Sequence, residues 1–143
     1  RQDGTLPRGI VVPQSCGLGD EEWVNVMSPQ QFLGHYMLFA DPTFATTNLV
    51  ITRKRDDQGF HDVTVACRGK VTGFEPVGTH GDYEVAHVDL IRGNKPVGSC
   101  NTSRHRISST GQFGVTVWGT DWCSSYAYPA GGSFRSISHV SYE

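Results

Sequence analysis

Apolar and polar positions alternate most cleanly near the C-terminal third of the chain. Phe113, Val115 and Val117 alternate with Gly114, Thr116 and Trp118. A period of two predicts a strand with one buried face. Gly119-Thr120-Asp121 supplies turn chemistry. Cys123, Ser125 and Ala127 then alternate with Ser124, Tyr126 and Tyr128 in a return strand, which Pro129-Ala130-Gly131-Gly132 stops. The expected unit is a hairpin with Phe113, Val115 and Val117 on the core and Trp118 facing outward.

The same reading extends along the chain. Ile10–Val12 predicts a short edge strand closed by Pro13, and Trp23–Met27 an alternating strand ended by Ser28-Pro29. His35–Ala40 is nearly continuous in apolar character, which predicts a central strand buried on both faces. Further strands are expected at Thr46–Arg53, Phe60–Cys67, Val71–Phe74, Tyr83–Leu90 and Arg104–Ser108, with Phe134–Val140 closing the domain. Asp56–Gly59 reads as a hairpin turn and Ile91–Asn101 as a long loop. No stretch of about 12 residues keeps a 3.6-residue period, so little helix is expected. About nine or ten strands with turn signals every ~8–12 residues predict an all-β fold, an antiparallel β-sandwich of jelly-roll type.

Composition agrees. The 143 residues suit one domain, placed at residues 10–143 behind a polar leader or linker at residues 1–9. Seventeen Gly and seven Pro are spread along it, as many short strands require. Nothing in the formal charge of −2 draws the chain to nucleic acid or to an anionic membrane surface, so no nucleic-acid partner is expected. The one basic run, Arg53-Lys54-Arg55, is answered at once by Asp56-Asp57. No apolar stretch approaches the ~18–20 residues of a membrane span, so membrane insertion is not expected. The chain begins at Arg1 rather than Met, which reads as a mature or excised segment.

Four cysteines allow three pairings. Cys67–Cys100 with Cys16–Cys123 is the favoured set; buried free thiols in a reducing compartment are the alternative. Closing a loop of about 33 residues would contribute ~3–4 kcal/mol in the chain-entropy model. Bridges would place the protein in an oxidising, extracellular or cell-surface setting. There is no C-x-x-C, no H-x-x-x-H, no G-x-S-x-G and no Gly-rich loop opening a helix. No metal site, cofactor or enzymatic activity is therefore expected. Glu75, Glu84, Asp82 and Asp89 are not paired across any recognisable cleft.

Binding residues are easier to nominate. Trp118 faces outward if Val117 faces the core, and Trp122 sits beside Asp121 at the turn. An aromatic plate with polar neighbours suits recognition of a glycan or a protein. His87 and Asp89, two apart on one strand, share a face. Asn101-Thr102-Ser103 is a sequon for N-glycosylation.

Several segments, in order, resemble the IgG Fc-binding protein N-terminal domain family, found in animal mucin-like secreted proteins and bacterial surface proteins. They are Phe39-Ala40-Asp41-Pro42-Thr43 with Thr47-Asn48-Leu49-Val50, then Phe60–Cys67, Tyr83-Glu84 with Val88-Asp89-Leu90, and Gly98-Ser99-Cys100-Asn101. Phe113–Gly119 and Ser125–Gly131 complete the set, which runs from about residue 23 to residue 132. The resemblance implies an extracellular, non-catalytic β-rich domain used for binding or adhesion. The family domain is longer, and this chain corresponds to its C-terminal part. Cys67 and Cys100 stand where the family has a cysteine pair. On this basis the expected role is a binding module, such as the tip domain of a surface fibre, meeting a glycan or protein on another cell or in the matrix. A trimer fits that setting. The alternative is a structural spacer or oligomerisation domain.

Overall fold

The computed structural model describes residues 17–101 and 103–134. The leader at residues 1–9, the edge strand at Ile10–Val12, Cys16 and residues 135–140 of the expected closing strand lie outside these. The described residues contain nine strands: β1 (Leu33–Phe39), β2 (Thr46–Lys54), β3 (Val63–Val65), β4 (Gly69–Lys70), β5 (Glu75–Val77), β6 (Tyr83–Arg92), β7 (Lys95–Pro96), β8 (Arg104–Asp121) and β9 (Ser124–Pro129). One 3₁₀ turn, Pro29–Gln31, precedes β1 and is capped by Ser28 and Gln31. The all-β, antiparallel expectation holds. All nine strands belong to one sheet, in the order β4-β3-β8-β2-β6-β5, with β1 and β9 on β8 and β7 on β6.

The sheet curls into two facing layers because β8 serves both. The first half of β8 pairs with β1 and β3; the second half pairs with β2 and β9. Between the halves the ladder slips: from Leu33 to His35 on β1, the partners on β8 run from Phe113 to Ser108. Three extra residues, Thr110-Gly111-Gln112, are thus accommodated opposite Gly34, and a bulge of this kind bends a strand. Gly34 suits the crowding there, since a Cβ would stand 3.3 Å from the Ser109 carbonyl oxygen.

The core lies between the layers. Leu38, Val63, Val65 and Ile107 come from one layer; Leu49, Ile51, Leu90, Phe113 and Val117 come from the other, and all belong to one cluster. Phe113, Val115 and Val117 are buried as their alternation requires. Tyr36 crosses the core, its hydroxyl donating to the Phe113 carbonyl at 2.7 Å and its ring edge-on to Phe113 at 5.0 Å. Burial pushes that phenol above its ordinary range. The Cys67–Cys100 disulfide ties the turn after β3 to the loop after β7. Cys123 is also in a disulfide; the expected Cys16–Cys123 pairing falls on Cys16, outside the described residues.

Several boundaries differ from expectation. His35–Ala40 is not buried on both faces. Tyr36, Leu38 and Ala40 are buried, while Met37 and Phe39 are 56% and 63% exposed and β8 is the only strand partner of β1 among the described residues. The apolar run was one core face plus an apolar outer strip. Trp23–Met27 forms no strand: it is a largely exposed segment, with Trp23 90% and Val26 75% exposed, and reaches the outer face of the sheet through Met27. Phe60–Cys67 shortens to β3, and Val71–Phe74 is the irregular crossing from β4 to β5. The stretches Arg104–Ser108 and Phe113–Trp118 belong to one strand. The hairpin turn is Trp122-Cys123, not Gly119-Thr120-Asp121: Asp121 pairs with Ser124, and Cys123 takes a left-handed φ of 53°.

Gly119 carries structural weight that the alternation alone hides. It opposes Tyr126 in the ladder, and a Cβ there would meet the Tyr126 ring at 2.0 Å. Gly119→Ala is expected to destabilise the domain by ~1–3 kcal/mol through overpacking, measured by urea unfolding. Replacing both Cys67 and Cys100 by Ser is expected to cost ~3–4 kcal/mol, with a fall in the thermal midpoint that reductant does not deepen through this bridge.

Candidate functional site

The outer face of the second layer carries the residues with the most to offer a ligand. Register sets them in rows. Asn48 pairs with Trp118 on one side and Asp89 on the other; two residues along, Val50 pairs with Thr116 and His87. With strands ~4.8 Å apart, Trp118 and Asp89 stand about 10 Å from each other across Asn48. Thr120 extends the face by one more row, opposite Thr46.

Part of this face is covered. Phe32 lies on Gly114, where a Cβ would come within 2.4 Å of its ring, and Met27 lies over Gly132 in the same way, at 2.8 Å. Glycine at these two positions lets the segment before β1 close the Gly114 end. The Trp118 end stays open as a hollow of about 450 Å³ lined by Val26, Asn48, Val50, His87, Thr116, Trp118 and Thr120. Most of that lining is carbon: two valines, threonine methyls and an indole. No carboxylate, ammonium or guanidinium lines it among the described residues.

The nominated residues separate here. Trp118 and His87 line the hollow together; Asp89 is on the same face but its carboxylate accepts from Arg92 at 2.7 Å. Trp122 and Asp121 lie elsewhere. The Asp121 carboxylate accepts the Trp122 N–H at 2.7 Å, and its carbonyl accepts the Gly19 N–H at 2.7 Å. Trp122 bridges to Leu18, and its indole Nε1 is buried without a partner among the described residues. That pair builds the turn. Asn48, Val50, Thr116, Thr120 and Val26 were not singled out from sequence. Asn48 and Val50 lie two apart in the expected Thr46–Arg53 strand and so share a face; their pairing with Trp118 and Thr116 was not visible. Asn101, the sequon residue, is exposed.

A second polar cluster lies at the bend of β8. The Thr110 hydroxyl meets His61 Nδ1 at 2.8 Å, and His61 Nε2 meets the Asp56 carboxylate at 2.8 Å. The imidazole rests on Gly111, where a Cβ would come within 2.6 Å of it. A hydroxyl, imidazole and carboxylate in series are the parts of a hydrolytic relay, but such a relay keeps its carboxylate buried. Here Asp56 is in an exposed hairpin turn and Thr110 is exposed. The series is a clasp holding the β2–β3 loop on the bend. The Asp56 carboxyl is held below its ordinary range, chiefly by the Gln58 N–H it accepts and then by His61. The one close group of metal-ligand types among the described residues is Cys67, Cys100 and His105, and its cysteines are joined in the disulfide.

The described residues form an antiparallel sheet curled on itself, stapled by a disulfide, with a hollow beside Trp118 on its outer face. Residues 8–119 match the family described as IgGFc binding protein, and the chain belongs to that family. This is a family of extracellular, binding-type domains, and the Cys67–Cys100 bridge accords with an oxidising compartment. No curated protein and no solved structure matches the chain.

The clasp gives a pH-dependent expectation. Asp56→Asn should lower the thermal midpoint at neutral pH. The depressed carboxyl contributes fully above the ordinary Asp value of about 3.9 and loses its contribution as pH falls through the lower folded value. Wild type and variant should therefore converge towards about pH 2 in thermal melts; a constant gap across the range contradicts the assignment.

Proposed function

We propose that this domain is a non-catalytic extracellular binding module that holds an apolar segment of a protein ligand in the hollow beside Trp118. The observation that carries this reading is the lining. Val26, Val50, Trp118 and the Thr116 and Thr120 methyls offer apolar area at the centre, with Asn48 and His87 as polar groups at the floor and edge. Interfaces gain most of their energy where an aromatic anchor and aliphatic neighbours are desolvated together inside a polar rim. The family description supports a protein as the ligand class. A tip or terminal position in a larger surface or secreted protein is the arrangement in which such a face is free to engage.

A second reading has its own support. Trp118 and Asn48 are ladder neighbours, so a flat ring face and a side-chain amide lie side by side. A sugar ring stacked on the indole and hydrogen-bonded to the amide would use both.

The test uses the purified domain with the Fc fragment of IgG as the first protein probe, and a glycan array in parallel. Expected is saturable binding to protein, weakened about thirtyfold or more by Trp118→Ala, the loss of a ~2 kcal/mol hot spot. The far-ultraviolet circular dichroism should be unchanged. Binding confined to glycans and lost in the same variant transfers the site to the second reading. Silence in both assays, with a stable oligomer by light scattering, favours a spacer.

A further inference from the structure

Strand β6 is paired along only part of its outer edge. β5 covers Tyr83–Val85, β7 covers Ile91-Arg92, and the Val97 N–H donates to the Leu90 carbonyl at 2.9 Å; between them Ala86–Asp89 has no strand partner on that edge among the described residues. The chain crossing from β4 to β5 passes this gap, and the two leave a hollow of about 220 Å³. Its walls include Arg68, Lys70 and Thr72 on one side and His87, Asp89 and Val97 on the other. The disulfide Cys67–Cys100 is adjacent to both walls, one residue from Arg68 and three from Val97.

The charge in this hollow is not balanced. Asp89 is already engaged by Arg92 at 2.7 Å. Lys70 meets Asp62 at 2.6 Å, but both side chains are largely exposed, so water screens that pair and a ligand can compete for the ammonium. Arg68 takes part in no ion pair among the described residues. Its side chain lies along Gly98, where a Cβ would sit 3.4 Å from both Cδ and Nη1. A left-handed φ of 66° at Gly98 favours glycine there and leaves that path open. The exposed Arg68 guanidinium, Lys70 ammonium and Thr72 hydroxyl line one hollow, and the planar fork of a guanidinium matches the oxygens of a carboxylate or sulfate.

His87 lines both this hollow and the one beside Trp118. We infer that the β6 edge is a subsite for an anionic group, a carboxylate or a sulfate ester, gripped by Arg68 with Lys70 and Thr72. Its contiguity with the Trp118 hollow means that the ligand is an apolar segment followed within a few ångströms by negative charge; this second half rests on the function proposed above. Either an acidic protein segment or a sulfated group carries that chemistry.

The test is a two-dimensional NMR titration of the ¹⁵N-labelled domain with sodium acetate and, separately, sodium sulfate, at ionic strength held constant with chloride. Expected are saturable shifts at Arg68 Nε–H and at the Thr72, His87 and Val97 amides. Arg68→Gln should weaken them at least tenfold and Lys70→Gln should weaken them less, both variants keeping the wild-type spectrum elsewhere. Trp118→Ala should leave them intact. The anion that saturates at the lower concentration identifies the source, carboxylate or sulfate. Shifts scattered over the surface, a response that never saturates, or indifference to Arg68→Gln would overturn the subsite. Anion binding without any ligand at Trp118 would leave the subsite standing and remove only its link to the proposed function. Ligand binding at Trp118 without anion shifts would remove the subsite alone.

Discussion

The fold depends on one strand being in two places. β8 is 18 residues long and pairs with β1, β2, β3 and β9. No other strand among the described residues pairs with four others, so the bulge at Thr110-Gly111-Gln112 sets how the layers face each other. Gly34 and Gly111 leave space for that bend, and Tyr36 joins its two sides by bonding to Phe113 just beyond it. The residues that look catalytic, Asp56, His61 and Thr110, are better understood as part of the same device. They hold the β2–β3 loop where the backbone turns. The Trp118 hollow sits on the layer that the second half of β8 begins, while the hollow at the β6 edge lies between that layer and the β4 end of the other.

The sequence disclosed local features and withheld non-local ones. Phe113, Val115 and Val117 were legible because alternation is a property of neighbours. His87 and Asp89 sharing a face followed from the same rule. The face they share with Trp118 did not, because it requires the register of three strands, and register comes from pairing across dozens of residues. Asn48 and Val50 belong to the hollow for that reason alone. His35–Ala40 misled because Met37 and Phe39 are apolar without being in the core, and hydrophobicity does not say which face is buried. Trp23–Met27 alternates like a strand, yet it pairs with none among the described residues, and only its Met27 comes down on the sheet face, over Gly132. Trp122 and Asp121 were conspicuous by type, and the turn they build explains them.

The disulfide bears on both the fold and the hollow at the β6 edge. Cys67 and Cys100 constrain a loop that contains β4 to β7, and therefore all of β6. The β6 edge and the hollow beside His87 both lie within that loop or against it. The bridge ties the residue before Arg68 to the loop that follows β7, the strand paired to the end of β6.

Two tyrosines on β9 have a consequence for how copies of this domain coexist. The Tyr128 hydroxyl accepts the Phe39 N–H at 3.2 Å and donates to the Phe39 carbonyl, while the Tyr126 hydroxyl accepts the Asp41 N–H at 3.0 Å. The backbone groups that a foreign strand would seek at this end of β1 are already occupied by side chains of the same molecule. An edge stoppered in this way cannot seed cross-molecular sheet growth from Phe39. Crowded copies can therefore stand shoulder to shoulder there without fusing into a common sheet.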